Sequence, residues 1–450
     1  MRKTIQQQLS LAPATIDHVY ARELDAISAQ LDAIPDAVLW VCDDVLGGKR
    51  KDRGRNGMTG EQILRALIVK QMNGFSYEEL AFHLADSNCY RNFCRLGIME
   101  EPQSRSTLQR NIKRVKAETL EKINRQLMLR AAELGIENGK KVRSDCTVVD
   151  AWIHEPTDSS LLWDCVRVLA RELDKGLEFT SLNFSDHRRR AKKRMTDIFG
   201  AKRMEQRIAP YKDLITITEW TIDYAVDAAK TLRAYKAPDL QSGLLADRIA
   251  ETLEHFVSLA RRVVDQTRRR VLLGEKVHSS KKIVSIFEEH TDIIVKGRRE
   301  TLYGHKVCLS AGPSGLVTDC TIESGNPADC KLAVKMIERQ IEIYSRAPLQ
   351  AAFDGGFASR ENLAAIKALG VKDVAFSKRC GLEITDMVKS TWVYKKLKNF
   401  RAGVESVISF LKRAFGMRRC TWRSLRSFKA FTWSSILAAN LLTVARNTIA

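Results

Sequence analysis

Between Met387 and Ala450 the sequence has thirteen lysines or arginines and a single acid, Glu405. Several other features are also absences. Among ten cysteines and eight histidines there is no C-x-x-C pair and no His-x3-His partner, so a structural zinc site lacks its ligand spacing. Cysteines scattered without a framework fit a reducing compartment. Pro-rich and Gly-rich tracts are missing and the apolar fraction is an ordinary 44%, which excludes wholesale disorder. The opening MRKTIQQQLSLAPATIDHVY lacks the long apolar core of a signal peptide. No uninterrupted apolar run reaches membrane-spanning length. No G-x-G-x-x-G, P-loop or G-x-S-x-G pattern supports a metabolic enzyme. These absences lead us to expect a soluble cytoplasmic protein without membrane association.

What is present is charge and length. The chain has 450 residues, enough for two or three domains with cores of their own. Its 74 basic and 54 acidic residues leave a formal charge of +20. An excess of that size concentrates polyanions and points to nucleic acid, with a solvated basic surface as the plainer alternative.

The first 135 residues read as successive helices. TGEQILRALIVKQMNG opens with a capping box, Thr59 and Gln62, and stops at glycine. SYEELAFHLADS repeats the device with Ser76 and Glu79, and STLQRNIKRVKAETLEKINRQLM with Ser106 and Gln109. Short helices in this order resemble a helix-turn-helix arrangement, although any small helical bundle reads the same way. Residues 1–138 are therefore assigned as a helical DNA-binding region, with Arg110, Lys113 and Arg114 as expected DNA contacts.

At KKVRSDCTVVDAWI (140–153) the pattern turns to a strand rich in β-branched residues. Alternation puts Arg143, Asp145, Thr147 and Val149 on one face and Asp150 on the other. Helical periodicity then returns, and residues 157–274 are assigned as a large helical insertion. Within it HRRRAKKRM (187–195) carries one sign of charge. Arg188, Arg189 and Lys192 are expected to contact DNA phosphates, against the alternative of a solvated helix face. Beyond Lys281 a hairpin around Gly312-Pro313-Ser314-Gly315 is followed by helix, strand, helix, strand and helix. That order predicts an α/β fold with a mixed sheet, over residues 139–156 and 275–450.

Two carboxylates occupy informative places in that sheet. Asp145 lies on its first strand, and Asp354 ends a later one where Gly355 and Gly356 leave it open to approach. Glu405 falls on the helix after the last strand, beside an apolar stripe of Val404, Val407, Ile408, Leu411, Ala414 and Phe415. Arg401 and Lys412 share its line along that helix. An ion-paired surface glutamate explains Arg401 but not why Glu405 is the sole acid in so basic a stretch. Three carboxylates from two strands and a helix suit a hard cation such as Mg²⁺, with Mn²⁺ as a substitute. His154 and His305, near strand ends, read as ordinary hydrogen-bonded histidines.

On RSDCTVVDAWIHEPTDSSLLWD, YGHKV, FDGGFAS and RAGVESVISFLKRAFGMRRC the sequence resembles bacterial insertion-sequence transposases of the DDE class. The resemblance covers most of the chain. It implies an RNase H-like catalytic core with a helical N-terminal domain; the large helical insertion departs from the family, since it follows the first strand here, whereas relatives with a large insert place it before the final glutamate. It implies that Asp145, Asp354 and Glu405 are the catalytic, metal-binding acids. One branch of these proteins has a tyrosine, arginine, glutamate, lysine pattern around the last acid. Arg401, Glu405 and Lys412 match it, while Lys398 stands at the tyrosine position. Arg401, Lys412 and the adjacent Arg413 are then expected at DNA phosphates.

The implied activity is binding of terminal inverted repeats, followed by metal-dependent cleavage and strand transfer on double-stranded DNA. A homodimer or larger synaptic assembly in the bacterial cytoplasm, associated with the nucleoid, is expected. Two other readings stay open: a metal-dependent nuclease without strand transfer, and an inactive transposase-derived DNA-binding regulator.

Overall fold

The computed structural model describes residues 17–48, 57–97, 99–101, 103–296 and 300–449. Most of the segment read for a signal peptide, and the start of the N-terminal region, lie outside the described residues. In chain order the helices α1 (Val19–Asp32), α2 (Asp36–Leu46), α3 (Gly60–Asn73), α4 (Tyr77–Asp86), α5 (Asn88–Phe93), α6 (Arg105–Ile112) and α7 (Ala117–Glu133) precede strand β1 (Lys141–Asp150). Four helices follow: α8 (Asp158–Gly176), α9 (Arg188–Gly200), α10 (Met204–Arg233) and α11 (Leu240–Thr267). The strands β2 (Asp292–Lys296), β3 (Glu300–Ala311) and β4 (Val317–Ile322) lead to α12 (Ala333–Tyr344), β5 (Gln350–Phe353), α13 (Arg360–Ala368) and β6 (Asp373–Phe376). Then come α14 (Ile384–Met387), α15 (Thr391–Ala414) and α16 (Leu425–Ile449).

The chain divides into two compact units, 1–151 with 304–450, and 152–303. The boundary drawn at residue 138 in the sequence falls inside the first unit.

In the first unit the sheet mixes directions. β3 is antiparallel to both β1 and β4, while β5 is parallel to β1 and β6 is parallel to β5. β2 pairs with β3, which makes six strands; β2 and the first residues of β3 belong to the second unit. A mixed sheet flanked by helices is the expected α/β architecture, and it is RNase H-like. The hairpin between β3 and β4 turns at Gly315, whose φ of 83° is in the left-handed region that glycine enters without strain. Cys146 and Cys308 face each other across β1 and β3 and form a disulfide. They are 162 residues apart in sequence, and only the strand register brings them together.

Local sequence explains where the N-terminal helices start. The capping boxes at Thr59–Gln62 and Ser76–Glu79 both form. The third box does not: Ser104, rather than Ser106, caps α6 by accepting from the Thr107 N–H. The segment read as one helix is also two, because the Lys116 backbone is extended and its N–H donates to Asp44 on α2 at 2.8 Å. A tertiary hydrogen bond has overridden helical propensity there.

These helices share an apolar core with the sheet and with α16, which packs against α1, α3 and α7. α16 is long and apolar enough to cross a membrane, but most of it is buried inside this unit. Several of its polar groups bond neighbouring elements. Asn440 accepts from the Val317 N–H at 2.9 Å, and its amide donates to Val317 O and to Asn124 of α7. Gln71 of α3 donates to Ser434 and Ser435 at 2.9 Å, and Arg446 pairs with Glu23 of α1 at 2.7 Å.

The second unit has its own core, built on α8, α10 and α11 with Leu169, Leu214 and Leu253 fully buried. Thr157 opens α8 with a capping box to Ser160.

Candidate active site

Parallel pairing sets two of the candidate acids side by side. Ser144 of β1 is in register with Phe353 of β5, so the next residues, Asp145 and Asp354, follow matched positions on neighbouring strands. α15 supplies Glu405. That helix starts at Thr391, well before Arg401, because Ser390 caps it and Val393 and Leu397 extend the buried stripe of Val404, Val407 and Leu411 toward its N-terminus. Ala414, read as part of the stripe, is exposed.

α15 is anchored to β1 beside the acids. Arg143 donates to Phe400 O at 3.1 Å and lies over the Phe400 ring. Gly403 makes this possible, since a Cβ there would stand 2.0 Å from the Arg143 guanidinium. A side chain at the glycine of RAGVES would displace the end of Arg143 from this position.

The three carboxylates converge on one guanidinium. Arg401 reaches Asp145 at 2.6 Å, Asp354 at 3.3 Å and Glu405 at 3.0 Å. The Arg401 side chain is 15% exposed and that of Asp145 16%, against 42% for Asp354 and 67% for Glu405. Burial pushes the Asp145 carboxyl above its ordinary range, opposed by Arg401 and by the Cys146 N–H. Burial acts the same way on Asp354, but there the Ser377 hydroxyl, the Gly355 N–H, Arg401 and Lys378 outweigh it and hold the group below the usual range.

All three acids offer hard oxygen donors, which fit a divalent cation such as Mg²⁺ or Mn²⁺. As placed around Arg401 they are not drawn tight: no group of three or more His, Cys, Asp or Glu side chains among the described residues is set to hold an ion.

Three neighbours of the site were not singled out from sequence. Ser377 donates to Asp354 Oδ1 at 2.7 Å. Lys306, in YGHKV, donates to Asp329 Oδ1 at 2.9 Å and to Pro327 O at 2.6 Å. The Asp329 charge helps raise Asp145. The strand end VAFS was the only signal for Ser377, and nothing local marks Asp329.

The candidate DNA-contacting residues fall in separate places. On α15, Lys412 is half-buried and Arg413 exposed in the last turn. Arg110 is exposed on α6, Lys113 caps that helix, and Arg114 donates to Val45 O at 3.2 Å. In the second unit Arg188 is engaged by Asp174 and Asp186 at 2.8 and 2.7 Å. Arg189 and Lys192 are exposed and pair with no carboxylate among the described residues. His154 bonds Asp164 at 2.7 Å, and His305 is buried edge-on to Phe428.

Comparison with family models gives two matches. Residues 289–441 match the family described as Transposase DDE domain, and residues 21–114 match the Transposase domain DUF772. Searches of curated proteins and of solved structures returned no match. Together the two models account for more than half of the chain, and the first contains both Asp354 and Glu405. With its mixed six-stranded sheet and helical N-terminal region, the chain belongs to the insertion-sequence transposases of the DDE class.

Proposed function

We propose that this protein binds the terminal inverted repeats of its own element, cuts at the element end and joins the freed 3′-hydroxyl to target DNA. One observation carries the reading: Asp145 within β1, Asp354 just past the end of β5 and Glu405 on α15 all reach the Arg401 guanidinium. A divalent metal held by these carboxylates would activate the attacking oxygen and stabilise the leaving oxygen of a phosphodiester.

The chain's own groups do the rest. Asp145 and Asp354 sit on paired strands, so their separation is fixed by the sheet. Ser377 sets the orientation of Asp354 through its hydroxyl. Glu405, exposed on α15, completes the set from the solvent side. Lys378 beside Asp354, and Lys412 and Arg413 in the last turn of α15, would supply charge for a DNA backbone. Water attacks first, and the 3′-hydroxyl then attacks target DNA in line at the same site. Residues 1–138 and the basic part of the 157–274 insertion would bind the element ends. Joining two ends calls for a homodimer or larger synaptic assembly, working in the bacterial cytoplasm at the nucleoid.

The test uses purified protein, DNA carrying the element's ends, and Mg²⁺ or Mn²⁺. Metal-dependent nicking and joining in wild type, lost in Glu405→Gln while DNA binding persists, is the expected result. Cleavage without joining of a supplied pre-cut end would replace strand transfer with a nuclease. Binding without cleavage under assembly conditions would replace the enzyme with a regulator.

A further inference from the structure

Arg401 matches the family's arginine by spacing, and from sequence it is expected at a DNA phosphate. Its geometry here is different. One terminal nitrogen lies between Asp145 and Asp354, and the other bonds Glu405 one turn along α15. Its Nε is buried and has no hydrogen-bond partner among the described residues. The planar fork is therefore spent on the acids and is largely closed to solvent, an arrangement that a lysine's point charge would not reproduce. Three carboxylates brought this close repel one another unless a cation lies among them. The guanidinium is that cation, and it stands where their oxygens converge.

We propose that Arg401 is an exchangeable counter-ion: it holds Asp145, Asp354 and Glu405 together in the metal-free protein and yields its place to a divalent cation, which frees its guanidinium for a DNA phosphate. The inference rests on the transposase reading of the site, since it takes those acids as the metal ligands. Metal loading and DNA engagement are then coupled through one side chain. A site already holding metal presents Arg401 to the DNA, and one without metal keeps it folded inward.

Titration of the intact protein with Mn²⁺ alone, without DNA, tests this. Calorimetry and thermal unfolding would be followed for wild type, Arg401→Gln, Arg401→Lys and Asp145→Asn. Arg401→Gln is expected to melt below wild type without metal, and to bind Mn²⁺ about tenfold more tightly with a larger upward shift in melting temperature, since a competing charge is gone. Arg401→Lys keeps the charge without the fork, so its Mn²⁺ affinity should fall between the two. Equal or weaker Mn²⁺ binding by Arg401→Gln, with Asp145→Asn still abolishing it, would overturn the counter-ion role and leave the metal site standing. Mn²⁺ binding undiminished in Asp145→Asn would instead overturn the site itself, and with it the reading on which this inference rests.

Discussion

His154 shows how far one hydrogen bond can set a pH dependence. Its Nε2 lies 2.7 Å from Asp164, a buried carboxylate that Arg167 also engages at 2.7 Å. The Asp164 hydrogen bond raises the imidazole above its ordinary pKa. A raised histidine stabilises the fold fully below its unfolded value of about 6.5, and that contribution is lost as pH rises through the folded value. The stability gap between wild type and His154→Ala should therefore be wider near pH 6 than near pH 9. Urea unfolding at the two pH values measures it, and an equal gap would remove protonation from the account. Glu405 stood out because composition alone isolates it. The aim of Arg401 did not, because an i, i+4 spacing describes a surface pair just as well. Asp145 and Asp354 enter that contact through the fold, from 256 and 47 positions away along the chain.

Elements were most legible where their signals are local. The capping boxes at Thr59 and Ser76, the β-branched run of β1 and the glycine hairpin of β3–β4 each rest on neighbours a few residues away, and each forms. The break between α6 and α7 was hidden because Asp44, which captures the Lys116 N–H, lies 72 residues back. β3 contains a further local signal in YGHKV. A Cβ on Gly304 would fall 1.9 Å from Val149 O and 2.8 Å from Asp150 Cα, so only glycine lets β1 and β3 close at the strand end beyond Asp145. Gly304→Ala should destabilise the protein by about 1–3 kcal/mol, the cost of overpacking a site that cannot relax through a side chain. Chemical denaturation gives the value, and a change under about 0.5 kcal/mol, that of an ordinary surface substitution, would mean that the strands part freely there.

For the molecule as a whole, the +20 charge makes DNA affinity a function of salt. The dependence should be steep, with each phosphate contact adding about 0.9 to the slope of log affinity against log salt. The ion pairs of the second unit sort its cations for this purpose. Lys192→Gln should lower the slope by about one contact, while Arg188→Gln, already held by Asp174 and Asp186, should change it less. Filter binding across a salt series distinguishes the two, and equal effects would show that the Arg188 pairs open on DNA. The burial of α16 among α1, α3 and α7 has a different consequence, one in time. At roughly 5–20 residues per second of synthesis, α3 leaves the ribosome on the order of tens of seconds before α16 is made. Throughout that interval the helices of the N-terminal region lack the partner that fills their core. A nascent chain thus carries Asp145 and Asp354 while the apolar faces of α1, α3 and α7 still await the helix that covers them.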